Sequence, residues 1–175
     1  MNIRELVETL RIQWAAPRQA IHRGEPCPFS LKCSFAEPAS GLGPLERTRD
    51  QLPSEIMEFW QICSSARLFE DTEFGQWGLE VLSPEGAAAL TSSETNKRPS
   101  DYIGGDLLVG RFLGDSDLLL LRCDSTASDF GTVKISLPID RRNEWDTVAQ
   151  NFEDFLTKYV TAQGDKFWEP RSLPQ

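Results

Sequence analysis

The residues with chemistry to offer are four cysteines, one histidine and several close-set carboxylates. Cys27, Cys33, Cys63 and Cys123 contain no Cys-x-x-Cys pair, the spacing a structural zinc site favours. His22, Cys27 and Cys33 are near one another in sequence, but six residues of extended chain put the two thiols about 20 Å apart. A disulfide needs Cα atoms within about 7 Å, so the pair cannot bridge along one strand. The expectation is four reduced, structural thiols, with no metal and no cofactor. Nucleophilic catalysis has no signature either: there is no Gly-x-Ser-x-Gly elbow, Walker loop or His-Glu-x-x-His. Gly104-Gly105, followed by Gly110 and Gly114, lacks the spacing that opens a helix onto a pyrophosphate. Glu70-Asp71 with Glu73, and Asp115 with Asp117, have the chemistry to bind a cation or move a proton. As solvated turns they need no such role, and no catalytic residue is assigned.

A different use suits the stretch Phe69-Glu70-Asp71-Thr72-Glu73-Phe74-Gly75-Gln76-Trp77-Gly78. Three carboxylates and three aromatics share a turn-prone segment. An aromatic anchor inside an acidic rim is what recognition of a basic protein requires. Glu70, Asp71, Glu73, Phe74 and Trp77 are therefore the candidate partner-binding residues, with Asp115 and Asp117 of a second turn beside them. The competing reading buries Phe69 and Trp77 in the core and leaves only an acidic loop.

Charge and composition narrow the partner. Of the 175 residues, 39% are hydrophobic and 26% charged, enough apolar material for a core and too much for a disordered chain. The longest aliphatic run, Leu118 to Leu121, is far too short for a membrane span. Met1 to Glu5 shows no apolar signal core, so a cytoplasmic protein is expected. Eighteen Lys and Arg against 27 Asp and Glu give a net charge of −9. Residues 1–35 carry five basic and three acidic groups, leaving 13 basic and 24 acidic for the rest, a net −11. Such a body repels phosphate backbones, which argues against a nucleic-acid partner, and attracts a basic protein surface.

The elements that would position these residues follow from hydrophobic period. Ile3, Leu6, Val7, Leu10 and Trp14 fall on one face of a helix over 3–14. Cys27, Phe29, Leu31, Cys33 and Phe35 alternate with polar residues and Pro28, a half-buried strand. Pro28 has no ladder N–H, so this strand should lie at an edge or pair only beyond it. His22 falls in a connection, and 38–44 reads as a loop. A helix starts at Pro53 with Ile56, Phe59, Trp60 and Cys63 as its stripe. Short strands are expected at 67–69 and 77–82, a short helix at 85–90 and a polar loop at 91–101. Strands at 107–113, 118–123 and 132–137 form a meander, the first two joined by Gly114-Asp115-Ser116-Asp117. A last helix, started by Trp145 or Val148, runs through Phe152, Phe155, Leu156 and Tyr159. The class is α+β, a mainly antiparallel sheet with flanking helices in one domain over 1–175.

The order of these motifs resembles the SUKH superfamily, which includes bacterial immunity proteins and Knr-type fungal regulators of cell-wall synthesis. Leu52-Pro53-Ser54-Glu55-Ile56-Met57-Glu58-Phe59-Trp60 is similar to the family's Leu-Pro helix, and Leu68-Phe69 to the strand after it. Gly110-Arg111-Phe112-Leu113-Gly114-Asp115 resembles its strand ending in Gly-Asp, and Gly131-Thr132-Val133 its Gly-x-Val strand entry. Phe152-Glu153-Asp154-Phe155-Leu156 is similar to the closing helix, with Asn151 in place of a serine. The resemblance spans residues 45–160, with 1–44 as an N-terminal helix and a strand-like extension. Ser64-Ser65-Ala66 replaces the family's frequent Asn-Gly-Gly. The resemblance implies a SUKH-like domain without catalytic residues, an immunity protein that neutralises a cognate toxin, often a nuclease, by direct binding. The alternatives are a regulatory interaction module like the fungal branch and, more remotely, a hydrolase.

Overall fold

Asn2 starts the first helix through a reciprocal cap: its side chain accepts from Glu5 N, and the Glu5 carboxylate accepts from Asn2 N. The structure, a computed structural model, describes residues 1–170, so the last five positions of the expected 1–175 domain lie outside the described residues. Helix α1 (Ile3–Gln13) buries Ile3, Leu6, Val7 and Leu10, and Trp14 follows them into the core. Strands β1 (Arg18–His22) and β2 (Glu25–Phe35) form a hairpin. A 3-10 segment (Gly43–Gln51) leads to α2 (Ser54–Ile62). Next come β3 (Ala66–Asp71), β4 (Leu79–Val81), α3 (Pro84–Lys97), β5 (Asp106–Phe112) and β6 (Leu118–Arg122). The chain continues through β7 (Val133–Ser136), β8 (Thr147–Ala149) and α4 (Phe152–Thr161).

Among the described residues, the eight strands make one antiparallel sheet whose spatial order is the chain order. The α+β class and the antiparallel sheet with flanking helices are thus as expected from the sequence. Helices α1, α2 and α4 pack on one another over one face of the sheet. There Phe59 meets Phe152 edge-on, and Phe69 lies between Trp14 and Tyr159. The four-leucine run needs no membrane, because β6 is apolar on both faces. Leu119 and Leu121 join the helix-side core, while Leu120 packs with Leu108, Tyr102 and Trp145 on the other side. Among the described residues no helix is long and apolar enough to cross a membrane.

Four local expectations need correction. Residues 18–22 are a strand and not a connection; its single buried residue, Ala20, leaves no apolar alternation to read. Helix α3 extends to Lys97, through the polar stretch expected as a loop, because Ser83 caps its start and the Thr91 hydroxyl donates to Ala87 O within it. Trp145 does not start the last helix. Residues 147–149 pair with β7, and Asn151 caps α4 by accepting from Asp154 N, so the helix begins at Phe152. Finally, of the two alternatives for β2 the edge position fails, because β1 and β3 flank it, while pairing only beyond Pro28 holds toward β3 but not toward β1. Pro28 precedes the pairing with β3, which starts at Leu31, and lies where the β1–β2 register slips, so its missing N–H is tolerated.

Candidate binding site

Asp71, at the end of β3, organises the acidic aromatic segment. Its Oδ1 accepts from Glu73 N at 2.8 Å and from Phe74 N at 3.2 Å, and its Oδ2 from Gln76 N at 3.4 Å. The β3–β4 connection is therefore wrapped around one carboxylate, with Gly75 supplying a φ of +64° at the tip. Asp71 is only 2% exposed, so it shapes the loop and is not presented to a partner, a correction to its expected role. Phe74 is 71% exposed. A large apolar side chain is thus held in solvent by a loop whose backbone is already tied down.

The two flanking aromatics turn inward. Phe69 is fully buried and takes a left-handed φ of +54° where β3 bulges against Cys33, whose Sγ accepts from Phe69 N. Trp77 is half-buried, and its Nε1 donates to Gly164 O at 2.9 Å. Glu70 is paired with Arg67 at 2.7 Å, and Glu73 is exposed.

Asp115 and Asp117, the residues of the second turn, lie beside this loop. Leu113 N donates to Gly78 O at 2.9 Å, and a Cβ at Gly114 would overlap the Gln76 carbonyl, so only glycine lets the two turns touch. Both carboxylates engage Lys166, with Glu169 at 3.6 Å from the same ammonium. Burial acts to discharge Lys166, but Asp115, Asp117 and Glu169 outweigh it and raise its pKa. Three carboxylates on one ammonium leave the turn acidic.

Lys166 belongs to a segment after α4 that sequence reading left unassigned. Arg23 secures it, reaching Asp165 at 2.7 Å and the carbonyls of Lys166 and Glu169 at 2.8 Å each. The Gln163 side chain accepts from Ile21 N, and its carbonyl lies 3.0 Å from His22 Nε2. Gly164 follows the helix at φ +84° against the Phe69 ring. A glycine just past a helical stripe is the one signal that announced this turn.

The thiols lie beneath the surface. All four cysteines are free and buried, and burial pushes Cys33, Cys63 and Cys123 up to about 12 and Cys27 upward as well. At neutral pH they are protonated and offer no thiolate. Each titrates higher folded than unfolded, so its contribution to stability is complete below about pH 9 and is lost as pH rises through the folded value, about 12 for Cys33, Cys63 and Cys123. The buried Tyr159 hydroxyl, also raised, acts in the same direction. Urea unfolding should therefore show stability falling steadily above about pH 9, with a flat profile contradicting this burial. A thiol reagent near about pH 8 should react slowly with folded protein and count four groups once it unfolds.

An apolar concavity lies elsewhere, between the 3-10 segment, α3 and the start of β5. Among the described residues no group of three His, Cys, Asp or Glu side chains is placed to hold a metal. Compared with known protein families and with curated proteins, the chain matches none.

Proposed function

We propose that this chain is a non-catalytic protein-binding module, an immunity-type inhibitor that neutralises a basic toxin domain in the cytoplasm by direct contact. The observation that carries the reading is Phe74, 71% exposed at the tip of a loop fixed by Asp71. An aromatic on a backbone already tied down spares the entropy of ordering the loop on binding, which is how a small anchor gains affinity. Glu73 beside it and the surplus carboxylates around Lys166 supply the acidic rim. The net charge of −9 would speed encounter with a cationic surface. The SUKH-like order of motifs supports the same reading, and points to a toxin as the partner.

The test is to look for an adjacent open reading frame with a toxin-like C-terminal domain and to mix that domain directly with this protein. The expected result is a stoichiometric complex that abolishes toxin activity, with association slowing as salt rises because screening shortens the reach of the acidic field. No complex with that domain would overturn the toxin assignment. A gene with no toxin neighbour would move the reading to a regulatory module.

A further inference from the structure

Strand β5 separates the acidic loops from a second feature. Its seven residues span about 20 Å, from the Gly114 turn at one end to Gly104-Gly105 at the other. At that far end is a cleft of about 500 Å³, lined by Leu45 and Leu52, Ala88 and Thr91 of α3, Leu107 and Cys123. The volume is within the range that holds a small organic ligand.

The cleft stays open for structural reasons. Helix α3 buries only Pro84 and Ala87, and turns Ala88, Thr91 and Ser92 toward the space, so no large side chain fills it. Gly105, at φ +85°, brings the backbone so close to Asp124 that a Cβ would lie 2.6 Å from it.

The chemistry of the walls defines what fits. Asp106 and Asp124 line the cleft, but both are committed. Asp106 is bound by Arg122 and Arg142, while Asp124 accepts from Thr126 and faces Arg122 at 3.8 Å. The Cys123 thiol is neutral. The lining holds no cation, so an anionic ligand has no partner there. At the rim, Gln51 Oε1 accepts from Ser125 N and Oγ, and its Nε2 donates to no other described residue. We propose that this cleft binds a neutral, mostly apolar small molecule that presents a hydrogen-bond acceptor to Gln51 Nε2. The site is independent of the toxin reading.

The probe is prodan, a neutral naphthalene ketone whose emission shifts to the blue in apolar surroundings. Titration into the full chain should give saturable, one-to-one binding. In an isotope-labelled sample, amide shifts should centre on Ala88, Thr91, Gly104 and Leu107. Gln51→Glu keeps the oxygen that holds Ser125 but replaces the donor with an anion, and should weaken binding about tenfold. Ala88→Phe should fill the space and weaken it further, while Phe74→Ser, at the opposite end of β5, should leave it unchanged. If Ala88→Phe does not fold, the change Gln51→Glu at the rim and the shift map decide. Absence of saturable binding, shifts centred on Phe74, or a Gln51→Glu affinity within twofold of the parent would overturn the proposal.

Discussion

Replacing Asp106 with alanine should destabilise the protein by about 3–5 kcal/mol, read as a fall in the urea midpoint with unchanged slope. The carboxylate is 1% exposed, and its Oδ1 accepts from Arg122 Nη1 at 2.9 Å and Arg142 Nη2 at 3.0 Å. Its Oδ2 takes Ile103 N at 2.9 Å and a second Arg142 bond. Arg122 is itself 3% exposed and bound to Gly104 O and Asp129. Removing Asp106 leaves a buried guanidinium without its closest counter-ion, the costly half of a broken buried pair. Asp106→Leu with Arg122→Met should recover much of the loss, because two apolar groups need no partners. A loss below about 1 kcal/mol for Asp106→Ala would mean that Arg122 reaches water, contrary to its burial.

None of this network was visible from sequence. Asp106, Arg122 and Arg142 are 16 to 36 residues apart and converge only after β5, β6 and the loop before β8 are in place. What could be read was periodic. α1 and α2 each keep an apolar stripe against the core, and β5 to β7 keep alternation or an apolar run between turn residues. Elements that bury little were not legible. β1 hides only Ala20, and α3 buries only Pro84 and Ala87, so β1 carries no pattern and only the start of α3, over 85–90, could be read. Trp145 misled for the opposite reason. Its spacing continues the α4 stripe, yet Asn151 interrupts the chain with a cap and Trp145 packs on Tyr102 instead.

The candidate site divides the same way. Composition placed carboxylates and aromatics in one loop, but not which of them face solvent. Asp71 turns inward because three backbone N–H groups converge on it, a geometry set by the turn and not by the residue type. Asp115 and Asp117 come to the same surface through the contact at Gly114, and Lys166 reaches them only because Arg23 ties down the segment after α4.

Phe74→Ala is expected to have its large effect on binding and none on folding. At 71% exposure the ring contributes little to the core, and the Asp71 bonds to the loop backbone do not depend on it. The melting temperature should therefore match that of the parent. A buried aromatic anchor at a protein interface is worth about 2 kcal/mol or more, and most of that appears as faster dissociation. Glu73→Lys, on the rim, should instead slow association and weaken its salt dependence. The measurement that decides is the dissociation rate of the Phe74→Ala complex with the toxin domain, taken beside its melting temperature. An increase of about thirtyfold or more with an unchanged melting temperature is the expected result. A dissociation rate within about twofold of the parent, with the fold intact, would remove Phe74 and its loop from the interface and contradict the proposed mode of binding.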